Sequence, residues 1–327
     1  MKKDMKRILS GAAGAAMLAS GVAQTAMAET GYEVSMNEAS VEYDKVANVQ
    51  GAFTFDQDVL TPPDEVFNLF GTAVTGVCAK PDFAIGTDKA DYYINVGGKI
   101  TKAYTVDLRE KPAKTSTMLC SCATAAATVN AKITGVRLAD VLELAEMSAD
   151  VNTITVRGSD GYGTKLPLRY ALENDAMLVY QVGGKDIPTG TQLWVPRTVA
   201  KYFTRDVVDI ELTAEAETPE VAQRDEALRA EIAIMNTVKK AFTLGSEVTF
   251  EGYADDLGDA IAAVEFSLDG GETWTSYETA NATSEKWVYW HFAYVPETAG
   301  TYQLSVRART VGGSVSPLAA NVVFEVM

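Results

Sequence analysis

The run from Val264 to Trp274, VEFSLDGGETW, constrains this chain more than any other segment. Val264 to Leu268 alternates apolar and polar residues, the pattern of a strand with one face buried and one wet. Asp269-Gly270-Gly271 supplies the positive-φ positions of a tight hairpin, and Thr273-Trp274-Thr275 starts the return strand. A second alternating run, Tyr302 to Ala308, adds a further strand. Together these segments predict a two-sheet sandwich at the C-terminal end of the chain.

The 327 residues are 47% hydrophobic and 22% charged, enough to bury a sizeable core. The first 28 residues read as an export signal. Lys2, Lys3, Lys6 and Arg7 form a basic start, Ile8 to Val22 is apolar, and Ala26-Met27-Ala28 is an A-x-A cleavage site, with cleavage expected after Ala28. The apolar stretch is too short and weak for a stable membrane span. Lys6-Arg7-Ile8-Leu9 is one substitution from a twin-arginine pattern, and a plain Sec signal also fits. Either route predicts an exported, periplasmic or extracytoplasmic protein. The chain beyond the signal is long enough for about two domains.

The net charge is −16, and the basic leader makes the remainder more acidic still. Such a surface argues against nucleic acid or anionic lipid as partner. There are three cysteines, Cys78, Cys120 and Cys122, and an odd count in an exported protein points to a free or ligating thiol. A Cys78–Cys122 disulfide would be compatible with ligation by Cys120. The sole histidine, His291, lies in Trp290-His291-Phe292 and reads as a strand residue. One histidine excludes His-rich zinc and copper sites and the Ser-His-Asp and Cys-His hydrolases.

Along the chain, residues 29–60 read as an N-terminal arm or edge strands. Strands and short helices then alternate over 61–212: a strand over Tyr92–Val96 ending in Gly97-Gly98, its return over Ile100–Leu108, and a strand over Thr115–Cys120. A helix is expected over Val136–Met147, where Leu138, Val141, Leu142 and Ala145 share a face. Next come a strand over Asn152–Arg157, a short helix over Pro167–Glu173, and strands over Met177–Val182, Leu193–Pro196 and Val207–Leu212. The order is α+β, without regular βα alternation. Residues 213–229 form an acidic linker able to make one exposed helix, and the β-sandwich, of immunoglobulin-like kind, spans 230–327.

The wording of these segments is more specific than their periodicity. VEFSLDGGETW, the later Trp287-x-x-Trp290 and the Arg307-Ala308-Arg309 strand resemble the C-terminal domain of the sulfite oxidase family of molybdopterin-dependent oxidoreductases. Upstream, INVGGKI, STMLC, GVRLADVLELA, SDGYGTKLPL, MLVYQVGGKDIP and LWVPRTVAKYFTRDVVDIEL follow the order of that family's molybdopterin domain. The resemblance covers roughly residues 60–325 and implies a sulfite-oxidase-type mixed α/β molybdopterin domain followed by the sandwich.

It implies a site as well. Thr117-Met118-Leu119-Cys120 matches the family's T-x-x-C, whose cysteine binds molybdenum. A soft anionic sulfur at a strand end suits a metal that cycles by two electrons. Cys122, two residues on, is the competing ligand, and a buried Cys120 without metal is the plainer reading. Tyr162 falls where the family places a tyrosine beside the metal's oxygen ligand, and otherwise reads as a turn aromatic. Lys201, Tyr202 and Arg205 lie where the family has its cofactor-phosphate segment, and otherwise read as loop residues.

The chain also departs from the family. No histidine follows Asn68, Thr189-Gly190-Thr191-Gln192 carries no arginine, and Arg197 replaces the glycine of V-P-G. The family's sulfite-binding arginines and histidine therefore have no counterparts here, and sulfite does not carry over as substrate. The resemblance implies an exported molybdopterin (Mo) oxidoreductase doing two-electron or oxygen-atom-transfer chemistry on a small molecule. No C-x-x-C-H haem motif occurs, so electrons would pass to a separate cytochrome or membrane subunit. Homodimerisation through the sandwich is a further analogy. The alternative is a cofactor-free binding or assembly protein on the same scaffold.

Overall fold

The structure, a computed structural model, describes residues 42–67, 92–124, 127–235 and 241–327. The signal sequence, Cys78 and Asn68 lie outside the described residues. The chain divides into two compact units, one comprising residues 58–224 and the other the N-terminal residues to Gln57 together with 225–327.

The terminal unit starts with β1 (Ala52–Asp56), part of the expected N-terminal arm. The central unit follows with β2 (Tyr93–Gly98), β3 (Tyr104–Asp107), β4 (Ala113–Ser121), β5 (Thr128–Arg137), β6 (Thr153–Gly158) and β7 (Lys165–Pro167). It ends with β8 (Met177–Val182), β9 (Lys185–Asp186), β10 (Gln192–Trp194) and β11 (Val207–Thr213). These make two sheets, β10-β8-β5-β4 with β9 on β8, and β3-β2-β11-β6-β7. Among the described residues of the central unit, β2 and β11 pair in parallel and the other ladders are antiparallel. Ile133, Val136, Leu178 and Trp194 from one sheet, and Ile94, Ile154 and Ile210 from the other, are buried.

Three α-helical segments occur among the described residues: α1 (Pro63–Val66), α2 (Leu138–Val141) and α3 (Leu168–Glu173). The helix expected over Val136–Met147 is reduced to the single turn of α2. Val136 and Arg137 complete β5 instead, pairing with Leu178 and Met177 of β8, and Met147 bridges to Ile100. Arg137 provides no side-chain cap, and Leu144, beyond the turn, is exposed. The turn buries Leu138, Val141 and Leu142, but it lacks a side-chain cap and its flanks are drawn into β5 and the Met147 bridge, so it does not propagate. The central unit is accordingly richer in sheet than the alternating reading suggests.

The terminal unit continues with β12 (Glu231–Ile234), β13 (Ala241–Phe242), β14 (Val248–Asp255) and β15 (Ile261–Ser267). It closes with β16 (Thr275–Glu278), β17 (Val288–Tyr294), β18 (Gly300–Thr310) and β19 (Ala320–Val326). Its sheets are β1-β17-β14-β12 and β13-β19-β18-β15-β16, sharing one apolar cluster that includes Phe250, Phe266, Trp290, Phe292, Leu304 and Phe324. β1 lies along β17 with Phe53 opposite Phe292 and Phe55 opposite Trp290. A segment more than 200 residues upstream thus supplies an edge strand to the sandwich. Residues 214–225 contain no helix, and only Glu226–Leu228 makes a short 3₁₀ turn, so the expected exposed linker helix is absent. Pro219 and the burial of Arg224 oppose such a helix.

The β15–β16 connection is built round Asp269 rather than as a two-residue turn. Gly270 and Gly271 have φ of 78° and 87°, as the Asp-Gly-Gly signal requires. The Asp269 carboxylate accepts from the Thr273 amide (2.9 and 3.0 Å), the Thr273 hydroxyl (2.5 Å) and the Ser267 hydroxyl (2.7 Å). Burial pushes its acidity down, but the Thr273 and Ser267 bonds outweigh that and hold its pKa at about 2. A folded-state pKa below the unfolded value of about 3.9 gives stability that is full above pH ~4 and is lost as pH falls towards 2. Asp269→Asn is expected to cost about 1–3 kcal/mol at neutral pH. Chemical denaturation from pH 7 to 2 should show the variant's deficit shrinking below pH 4; a constant deficit would refute this role.

Candidate functional site

Cys120 lies one residue from the end of β4, an edge strand whose pairing with β5 sets Cys120 opposite Val129. It is fully buried (0% exposed), and Cys122, just past the strand, is 8% exposed. The Cys122 amide donates to the Ala127 carbonyl (2.9 Å), and its sulfur is 3.3 Å from the Thr124 hydroxyl. β4 stops at Ser121, so Cys122 does not continue the strand's alternation. Ser121 itself meets the Thr128 hydroxyl at 2.6 Å and accepts from the guanidinium of Arg224, which is 4% exposed.

A parallel bridge from Ser121 to Val199 brings a second segment to the end of β4. That segment leaves β10 through Pro196 and Arg197 and makes a 3₁₀ turn over Ala200–Tyr202. Arg197, standing where a glycine was expected by resemblance, has φ of 57° and is exposed. The backbone there is anchored by Tyr170, whose hydroxyl donates to the carbonyls of Pro196 (3.2 Å) and Arg197 (3.1 Å). Burial raises the Tyr170 pKa against the pull of Arg197, which keeps the phenol a neutral donor. The Arg197 guanidinium bonds Asn174, so this arginine is held away from neighbours that are themselves buried.

The same segment carries Lys201, Tyr202 and Arg205. Lys201 is half-buried, with its ammonium 5.1 Å from the centre of the Tyr202 ring. Tyr202 is 2% exposed; its hydroxyl accepts from the Ala222 amide (2.8 Å) and donates to the Glu220 carbonyl (3.5 Å). Residues 220–224 therefore return over the segment, although their composition reads as solvated linker. Arg205 is 2% exposed, and its guanidinium lies 3.7 Å from the Asp160 carboxylate.

Tyr162 stands on the loop after β6. Its hydroxyl donates to the Lys201 carbonyl (2.6 Å), and the Thr164 hydroxyl donates to it (3.3 Å). One element, residues 199–205, thus touches the cysteine-bearing strand at one end and the Tyr162 loop along its length. Cys120, Tyr162, Lys201, Tyr202 and Arg205 come to this shared framework from three separate parts of the chain. Sequence reasoning missed Arg224, Ser121 and Asp160. Asp160 lay inside the quoted SDGY motif, whereas Arg224 was hidden in a run of charges and alanines.

Among the described residues, no group of three or more His, Cys, Asp or Glu side chains gathers to hold a metal ion.

Residues 82–220 match the family model described as the oxidoreductase molybdopterin binding domain. Among solved structures, the sulfane dehydrogenase SoxCD from Paracoccus pantotrophus is similar with a TM-score of 0.61 at 20% identity, covering 72% of this chain and 71% of that one. The SrpA adhesin from Streptococcus sanguinis is similar at a TM-score of 0.23 and 21% identity, over 30% of this chain and 58% of that one. No curated protein matches the chain.

Proposed function

Residues 82–220 are a molybdopterin-binding oxidoreductase domain, and from that premise we propose that the protein is an exported enzyme performing two-electron or oxygen-atom-transfer chemistry on a small substrate. The family match and the sulfite-oxidase-like fold support an oxidoreductase. The single observation that carries the site is the Ser121–Val199 bridge, which sets the end of β4, with Cys120 on it, beside the segment bearing Lys201 and Arg205.

The donor chemistry fits the group. A metal carried on a pterin would ask the protein for a soft anionic donor, and the Cys120 sulfur would supply it. Its phosphate asks for cations and backbone amides. Lys201 offers an ammonium at an incompletely buried position, while Tyr202 and Arg205 are buried under residues 158–162 and 220–224 and would support the segment more than face solvent.

When bound, the cofactor supplies a two-electron couple and a place for an oxygen atom to be given or taken. The protein's own residues do the rest. Burial of Cys120 excludes water from its sulfur and keeps it from oxidants and disulfide exchange. The Tyr162 hydroxyl, already a donor to Lys201, can turn to hold a polar substrate atom or pass a proton while Thr164 keeps a second hydroxyl at its oxygen. The Thr189–Gln192 turn lacks the arginine that the family carries there, and a small molecule other than sulfite is the substrate we propose. Electrons leave to a separate partner, a cytochrome or membrane subunit. The terminal sandwich is of immunoglobulin-like kind, with dimer formation as its expected task.

The test is metal analysis and fluorescence of the released, oxidised pterin, on protein made in a cofactor-competent host. Stoichiometric molybdenum and pterin are expected. Absence of both overturns the enzyme and leaves a cofactor-free binding or assembly protein on the same scaffold.

A further inference from the structure

The loop 158–162 and the segment 201–206 hold each other by reciprocal contacts. Ser159 donates through its amide to the Asp206 carbonyl (2.9 Å) and through its hydroxyl to the Asp206 carboxylate. In return, Asp160 on the loop accepts the Tyr162 amide at Oδ1 (2.9 Å) and faces the Arg205 guanidinium with Oδ2 (3.7 Å). The Tyr162 carbonyl takes the Gly158 amide (2.9 Å), and the Tyr162 hydroxyl donates to the Lys201 carbonyl (2.6 Å). A Cβ at Gly158 would strike the Arg205 carbonyl, so the two backbones are in direct contact. Asp206 has φ of 42°, a left-handed conformation that aspartate tolerates, and its carboxylate accepts the Ser159 hydroxyl there.

The Asp160–Arg205 pair sits at the centre of this clasp, with side-chain exposures of 12% and 2%. A pair this buried is rigid, and loss of either member strands a charge. One carboxylate thereby fixes both the backbone of Tyr162 and the segment that receives its hydroxyl.

We propose that Asp160 and Arg205 are positioning residues that aim the Tyr162 phenol along the segment linking it to the Cys120 strand. The catalytic consequence rests on the function proposed above; the geometric one does not. This gives Arg205 a task distinct from a phosphate contact.

The test places fluorotyrosine at position 162 of the full chain and reads its fluorine NMR resonance. Asp160→Asn and Arg205→Gln should each move that resonance towards the position of fluorotyrosine in water, while Arg205→Lys, which keeps the charge, should leave most of the native shift. In cofactor-loaded protein, kcat should fall about 10- to 100-fold with KM nearly unchanged, as misplacement of a reacting group predicts. An unmoved resonance in Asp160→Asn and Arg205→Gln overturns the proposal. Should these variants not fold, hydrogen exchange of the unsubstituted protein decides: slow, concerted exchange of the Gly158 and Tyr162 amides supports the clasp, and exchange at open-loop rates refutes it. Failure to bind cofactor with the fluorine response intact counts against the proposed function and not against the clasp.

Discussion

Cys120→Ser gives a folded chain that keeps less than about a tenth of the wild-type molybdenum, while Cys122→Ser keeps most of it. Loss of an outer supporting residue at a metal site already costs about 10–100-fold in affinity or activity, so loss of the proposed sulfur ligand should cost more than roughly 100-fold. Serine nearly matches cysteine in size, and Cys120 is enclosed within the β4–β5 ladder, so the backbone has no reason to move. The hydroxyl is a harder donor that remains protonated at neutral pH, whereas a thiol is readily deprotonated by a soft metal. Burying that hydroxyl costs about 1–3 kcal/mol, visible as a modest loss of thermal stability without loss of fold. Cys122 sits past the end of β4, with its sulfur against Thr124, and its replacement should cost little in metal. Metal analysis beside circular dichroism checks both variants. Molybdenum retained in Cys120→Ser and lost in Cys122→Ser moves the ligand to Cys122, and retention in both overturns ligation by Cys120.

Local pattern made the strands legible. Tyr93–Gly98 with Tyr104–Asp107, Met177–Val182 and Val207–Thr213 all announce themselves by apolar alternation or by runs closed with glycine. What stayed hidden was non-local. Residues 29–60 read as an arm or edge strands, but nothing near Ala52–Asp56 in sequence shows that β17 is the strand it joins. Leu138 to Ala145 shows a helical period, but only tertiary context says that β8 claims Val136 and Arg137 and that nothing covers Leu144. Arg224 looks solvated in a charged run, and becomes a buried partner of Ser121 only once residues 220–224 fold back. The site shows the same division. Cys120 and Tyr162 were visible through short motifs, whereas the Asp160–Arg205 pair joins positions 45 residues apart, and no pattern in either segment announces it.

Phe266→Ala should be the most damaging single truncation in the terminal unit. The ring is fully buried and stacks on Phe292, centroids 4.1 Å apart and 13° from parallel. It also meets Trp290 at 5.5 Å, Tyr277 at 5.8 Å and Phe53 at 6.0 Å in edge-on contacts. Phe266 is on β15 and Phe292 on β17, so the stacked pair joins the two sheets, and Phe53 ties the upstream edge strand into the same cluster. Neighbours fixed on separate ladders cannot collapse into the space, which places the cost at about 3–5 kcal/mol, near the top for such changes. Against a total stability of about 5–15 kcal/mol, this is a large share. The midpoint of the sandwich's thermal unfolding should drop on the order of 10 °C or more. Val311→Ala, at a side chain 70% exposed on the same unit, should stay within about 0.5 kcal/mol of wild type. Hydrogen exchange separates this account from general weakening: the β1 amides, held at the edge of their sheet through Phe53, should lose protection before those of β14 and β17. Simultaneous loss across all three strands would mean that β1 does not depend on this cluster, and a midpoint shift of only a few degrees would mean that the ring is not its centre.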